Sequence, residues 1–292
     1  MTEGAKEFKT RYIDIKGCRV AYIDEGAGTQ TIIFIHGLAN YALGWQKNID
    51  QLRAQYRCIA IDLPGNGYSA AGDYAYSMSF FAEVVYEFIG KLQLGVVCLA
   101  GHSMGGQVAM TVALKYPQGV SKLVLCAPAG FEEFSEWERS AYKTTLQLAD
   151  MFSTEANSLK KTLQISFYLF PEQARGMVED LVALHRRYPT KKYKAMVEAC
   201  IDGMLDEPVY DRLQEIKQPT LIIFGERDAL IPNKLLHHLS TKQLAEKAAA
   251  RFADAELHMI AKCGHFVQWE EAEDVNYYIR RFLNRDFGGL KD

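Results

Sequence analysis

No run of about eighteen consecutive apolar residues occurs in this chain, so no membrane-spanning helix is expected. Clustered basic charge is also missing. Lys and Arg number 33 against 36 Asp and Glu, the formal net charge is -3, and the two signs are mixed throughout. A nucleic-acid binder would show a basic face, so nucleic acid is not an expected partner. The six cysteines form no C-x-x-C pair, and no Asn-x-Ser/Thr site occurs. The opening MTEGAKEFKTR is polar and lacks an apolar h-region, so no signal peptide is expected and a cytoplasmic setting is. There is no H-E-x-x-H and no P-loop. Gly26-Ala27-Gly28 precedes a strand pattern and lacks the third glycine of a dinucleotide loop. Neither cofactor nor metal is expected.

What is present is a rhythm. Tyr12–Asp24 holds two β-prone runs around Lys16-Gly17, a hairpin signal. Short β-branched runs follow: TIIFIHG (31–37), RCIAIDLPG (57–65), VVCLAGHS (96–103) and KLVLCAPAG (122–130). They suit parallel strands buried on both faces. In SMSFFAEVVYEFIGKLQ, Phe80, Phe81, Val84, Val85, Phe88, Ile89 and Leu92 recur at helical spacing. Over 131–217 the strands stop and only helical patterns remain, rich in aromatics such as Trp137, Tyr142, Phe152, Phe167, Tyr188 and Tyr193. The segment's charges, including EEFSEWE, are expected on solvated faces. The alternation resumes with QPTLIIFGERD (218–228), a helix after Asn233, ELHMIAKCGHF (256–266) and a last helix from about Glu271. The expected fold class is α/β: a mostly parallel sheet with helices on both faces, its core in 1–130 and 218–292, interrupted by an all-helical cap over 131–217.

Gly101-His102-Ser103-Met104-Gly105 fits G-x-S-x-G between a strand and a helix. In that setting the serine takes a strained backbone conformation that projects its hydroxyl, and the flanking residues must lack bulk. A serine hydroxyl needs a base, normally a histidine held by a carboxylate. Of the seven histidines, His36 and His102 sit in the glycine turns, His185, His237 and His238 fall on helical patterns, and His258 lies in a strand pattern. His265 follows a strand in a tight turn and is the expected base. Asp228, just past LIIFG, is the expected acid, with Glu226 as local rival and Asp202 and Asp206 as further alternatives. The oxyanion donors are expected to be the backbone N–H groups of Met104 and Leu38.

With HGLAN (36–40), DLPGNGYS (62–69), GHSMGG (101–106), GERDALIP (225–232) and CGHF (263–266) in this order, the chain resembles the α/β-hydrolase superfamily over nearly its full length. The resemblance implies that fold, a Ser103-Asp228-His265 triad, and a structural role for Asp62. Ser103 stands where epoxide hydrolases and haloalkane dehalogenases of this fold carry aspartate, and His102 where the carbon–carbon hydrolases usually have asparagine. What remains is closest to carboxylesterases and lipases acting on small or medium acyl esters. A carbon–carbon hydrolase, an acyltransferase and a slow-turnover ligand receptor stay open as alternatives. The expected partner is a small-molecule ester; the sequence leaves oligomeric state open.

Overall fold

The computed structural model describes residues 8–149, 161, 163–187 and 189–285. Lys16 and Gly17 both have positive φ, 51° and 76°, the geometry of a two-residue hairpin turn that matches strand twist. They join β1 (Arg11–Ile15) to β2 (Cys18–Glu25) in an antiparallel pair, with Ile15 opposite Cys18. The remaining strands are β3 (Thr31–Ile35), β4 (Arg57–Ile61), β5 (Val97–His102), β6 (Val120–Cys126), β7 (Thr220–Gly225) and β8 (Ala255–Ile260). The eight lie in one sheet in the order β1-β2-β4-β3-β5-β6-β7-β8. β2 runs antiparallel to β4, and every pairing from β4 to β8 is parallel.

Parallel strands need crossovers, and here helices supply them on both faces. One face carries α1 (Gln46–Leu52), the short α8 (Val267–Glu270) and α9 (Ala272–Leu283), over a core that includes Phe34, Trp45, Ile49 and Ile279. The other carries α2 (Met78–Lys91), α3 (Met104–Lys115) and α7 (Thr241–Ala249), over Ile33, Phe81, Val108 and Leu244. Of the α2 stripe read from the sequence, Phe81, Val84, Val85, Phe88 and Ile89 are buried, while Phe80 and Leu92 at its edges are half-buried; Ser77 caps the helix by accepting from Phe80 N–H at 3.1 Å.

Between β6 and β7 lie α4 (Glu136–Ala149), α5 (Arg175–His185) and α6 (Thr190–Asp206), with no strand among the described residues. Phe152 and Tyr188 lie outside the described residues. Phe167 and Met177 pack with Tyr41, Phe266 and Trp269, while Tyr193 and Ile201 join the core beneath α2. Trp137, by contrast, is 72% exposed.

The helix expected after Asn233 begins later, at Thr241. Asn233 N–H donates to Glu132 and the Asn233 carboxamide oxygen accepts from Leu235 N–H, a turn that competes with helix. Ser240 and Gln243 then form a reciprocal capping box that starts α7. His237 therefore sits in the turn, not on a helix. Among the described residues no helix is long and apolar enough to cross a membrane. All six cysteines are free and buried.

Candidate active site

Four loops leave the carboxyl ends of β3, β5, β7 and β8 on one edge of the sheet, where open α/β sheets bind ligands. Ser103 occupies the turn from β5 into α3 with φ 53° and ψ -120°, a region non-glycine residues rarely enter. Such strain costs on the order of 1–3 kcal/mol and persists only where the surroundings impose it. Here they do. Ser103 N–H donates to Cys126 O at 3.1 Å, and Ser103 O accepts from Gly106 N–H and Ala129 N–H, both at 2.9 Å. The glycines allow the approach. A Cβ on Gly101 would strike the Gly105 carbonyl, one on Gly105 the carbonyls of Ile35 and His36, and one on Gly106 would come within 2.6 Å of Pro128 Cβ.

His265 Nδ1 lies 2.8 Å from Asp228 Oδ2, with Asp228 fully buried and His265 nearly so. The other carboxylate oxygen, Oδ1, accepts from Leu230 and Ile231 N–H at 2.8 and 3.0 Å. An ionised carboxylate only accepts, so Nδ1 carries the proton and Nε2 keeps its lone pair. The rivals are placed elsewhere: Glu226 is exposed, and Asp202 and Asp206 face Lys143 at 2.8 and 3.7 Å.

The loop after β3 is fixed by His36, whose Nδ1 donates to Gly37 O at 2.7 Å while Nε2 accepts from Leu63 N–H at 3.0 Å. Burial pushes its pKa down to about 4, so it is neutral and the tautomer is set by its two partners. Asp62 accepts from Ala42 and Tyr68 N–H at 2.6 and 2.8 Å, and burial raises its pKa to about 6. It shapes the neighbouring loop and is not among the residues of the cavity wall. Leu38 and Met104 N–H groups donate to no protein acceptor among the described residues; Met104 is the first residue of α3, where N–H groups are left open.

His102 does more than fill its turn. Its Nε2 lies 3.0 Å from His265 O, so the imidazole, neutral because burial drives its pKa far down, ties the histidine loop to the serine turn. Ser166, from the helical segment, holds the same loop: its carbonyl accepts from His265 N–H at 2.8 Å and Phe266 N–H at 3.1 Å. Glu270 accepts from Gly264 N–H and Tyr168 N–H, both at 2.9 Å. No sequence signal announces contacts that cross about a hundred residues.

Ser103, His265, Leu38 and His102 line one cavity of about 200 Å³. Its wall is completed by Phe134, Tyr142, Leu163, Ile201, Met204 and Leu205 from the helical segment, with Asn40, Gln107, Glu132, Arg139 and Ser166 as further polar residues. Sequence reading singled out none of these wall residues as substrate-facing, because helical periodicity gives a buried face but not what it is buried against. EEFSEWE was expected on a solvated face; Glu132 instead lines the cavity and pairs with His237 Nδ1 at 2.6 Å.

Comparison with known proteins agrees with this architecture. Residues 30–272 match the family model of the alpha/beta hydrolase fold. A 2-hydroxy-6-oxononadienedioate/2-hydroxy-6-oxononatrienedioate hydrolase of Burkholderia vietnamiensis is 33% identical over 281 residues, covering 91% of each chain. The dihydrolipoyllysine-residue acetyltransferase component of the acetoin cleaving system of Cupriavidus necator is 28% identical over 94% of this chain and 68% of its own. Among solved structures, an esterase from Exiguobacterium antarcticum superposes with a TM-score of 0.80 over 95% of this chain and 100% of its own; at 22% identity this speaks for the fold alone. A sheet of this order with its chemistry-bearing loops on one edge, together with the match over most of the chain, places the protein: it belongs to the alpha/beta hydrolase fold family and is a hydrolase.

Proposed function

We propose that the protein hydrolyses carboxylic esters of small or medium apolar substrates through an acyl-enzyme on Ser103. The observation that carries this reading is the buried Asp228–His265 pair, at 2.8 Å, whose histidine lines the same cavity as a serine with its backbone held at positive φ. His265 Nε2 takes the Ser103 proton as Oγ attacks the ester carbonyl, and returns it to the departing alcohol. Asp228 holds the Nδ1–H tautomer and stabilises the imidazolium. The Leu38 and Met104 N–H groups receive the tetrahedral oxyanion; losing one such donor costs about 3–4 kcal/mol in comparable sites. Water, activated in turn by His265, then releases the acid and restores the serine. In this reading 131–217 is a cap that roofs the cavity, and the six unpaired, buried thiols suit a cytoplasmic protein.

The test is labelling of the folded protein with a fluorophosphonate, read by peptide mass spectrometry, beside a p-nitrophenyl ester chain-length series. An adduct on Ser103 with ester turnover is the expected result. A labelled but ester-inactive protein would reject ester hydrolysis.

A second reading has a specific observation behind it. The Burkholderia relative is named for a substrate without an ester, a dienedioate whose hydrolysis must break a carbon–carbon bond. The same serine, histidine and oxyanion donors suit attack on its vinylogous ketone. Turnover of such a diketone with no turnover of esters would favour this reading. An acyl acceptor that outcompetes water would instead indicate an acyltransferase, and ligand binding with negligible turnover a receptor.

A further inference from the structure

The cavity beside Ser103 has one acid, Glu132, and one arginine, Arg139, in its wall, and they are partnered differently. Glu132 Oε1 accepts from Asn233 N–H at 2.7 Å and faces His237 Nδ1 at 2.6 Å. Glu138, one residue before Arg139, accepts from the Ser135 N–H and hydroxyl, both at 2.7 Å. Arg139 makes no ion pair among the described residues. Its Nε donates to Phe134 O at 3.1 Å, which anchors one edge of the guanidinium against the start of α4. Neither terminal nitrogen has a protein partner among the described residues.

A part-buried cation in an otherwise largely apolar wall is an unfavourable arrangement unless an anion completes it. The guanidinium fork matches a carboxylate through two parallel hydrogen bonds. The nearby acids are prevented from filling that role by their own partners. We propose that Arg139 binds a carboxylate on the substrate, so that the favoured substrates are small esters carrying a free carboxylate besides the scissile bond. This rests on the reading of Ser103 as nucleophile. It goes beyond it in naming a charged substrate class where the sequence suggested an apolar one.

The experiment has a binding arm and a turnover arm. In the binding arm, Ser103→Ala protein is titrated calorimetrically with monomethyl adipate and with dimethyl adipate. The monoester should bind at least tenfold more tightly, and adding Arg139→Met should remove that preference. In the turnover arm, mono-p-nitrophenyl adipate is compared with p-nitrophenyl hexanoate for a carboxylate on the acyl side. Then 4-acetoxybenzoate is compared with p-tolyl acetate for a carboxylate on the alcohol side. One of the two charged esters should be preferred at least tenfold in kcat/KM. Arg139→Lys should keep part of the preference, and Arg139→Glu should transfer it to an amine-ended ester. That charge swap keeps the test decisive should Arg139→Met fold poorly. Equal binding of the two adipate esters, or a preference that survives Arg139→Met, overturns the proposal. Arg139-dependent binding without turnover of any ester would uphold the carboxylate site and reject the nucleophile reading alone.

Discussion

The strand-end loops and the helical segment above them meet at one cavity but are built differently. Ser103, Asp228 and His265 are held almost wholly by backbone groups of neighbouring loops, at the ends of strands registered by parallel hydrogen-bond ladders. The segment between β6 and β7 reaches that scaffold mainly through side chains: Phe167 and Met177 pack with Tyr41, Phe266 and Trp269, and Tyr193 and Ile201 join the core beneath α2. Polar ties add to this packing, from Ser166 O to the His265 loop, Gln107 Nε2 to Met204 O and Glu207 O, Glu207 to Ser79 N–H, and Glu132 to His237. Reacting atoms need placement within a fraction of an ångström, and a sheet edge gives that. A wall that lines a cavity only has to present side chains, and packed helices suffice.

Breaking the first half of this comparison should produce the largest effects. Ser103→Ala and His265→Ala should each lower ester turnover by about 10⁴-fold or more while the thermal unfolding midpoint barely moves. A variant that keeps most of its rate would remove the triad assignment.

Gly105→Ala should act on both folding and rate. Its methyl would meet the Ile35 and His36 carbonyls, which belong to β3 and its loop and cannot rotate away. Overpacking of this kind costs roughly 1–3 kcal/mol, and a denaturant melt of the variant should show a loss at or above that range. Unchanged stability would mean that the elbow is looser than its geometry implies.

Buried His36 and the tie between Glu132 and His237 should answer pH with opposite signs. His36, in the scaffold, has its folded pKa lowered from 6.5 to about 4 by burial. Between those values the unfolded chain binds a proton that the folded chain does not, so stability falls as pH drops through that window, by up to about 3 kcal/mol from this residue. Asp62 opposes it, since burial raises its folded pKa from 3.8 to about 6 and its contribution is lost as pH rises. The difference in pH slope between wild type and His36→Gln, read from urea midpoints at pH 5 and 7, isolates the histidine. The variant should show the shallower acid loss. His237 is raised instead, first by its hydrogen bond to Glu132, so that tie is strongest at low pH and weakens as pH rises through the folded pKa. Protection of the amides in 233–239, corrected for the intrinsic base-catalysed rate, should fall over that rise, and Glu132→Gln should reduce this fall.

The smallest effect is expected at Gln107. Its amide donates to two carbonyls of the helical segment, at 2.9 and 3.0 Å. Gln107→Leu leaves both acceptors without this donor and should cost about 1–3 kcal/mol if they stay buried. The loss should show first as faster proteolysis within 131–217, with the fluorophosphonate rate on Ser103 nearly unchanged. Equal loss of both would mean that the segment and scaffold act as one unit.

The same division explains what the sequence reveals. The Lys16-Gly17 hairpin, the α2 stripe and the G-x-S-x-G turn are local signals: each depends on residues a few positions apart, and each is found where the spacing puts it. The ends of β7 and β8 fall next to each other because parallel strands share a direction, so Asp228 and His265 could be paired from strand order alone. The helix after Asn233 was misplaced because its first turns are diverted by Glu132, a hundred residues earlier. Arg139 and Glu132 read alike as solvated charge, since composition does not show that Glu132 has a histidine partner while Arg139 has no ion-pair partner among the described residues.

Glu270 gives the division a practical edge. One carboxylate accepts from Gly264 N–H through one oxygen and from Tyr168 N–H through the other, and burial already raises its pKa. Anyone exchanging the 131–217 segment for that of a relative, to import a new specificity, inherits this shared fastener. A graft without a donor at the Tyr168 position would leave half of a partly buried carboxylate unsatisfied beside the histidine turn. Such an exchange is therefore not free: the graft has to bring a backbone N–H, from any residue but proline, to the place of Tyr168 N–H beside the recipient's acid at 270.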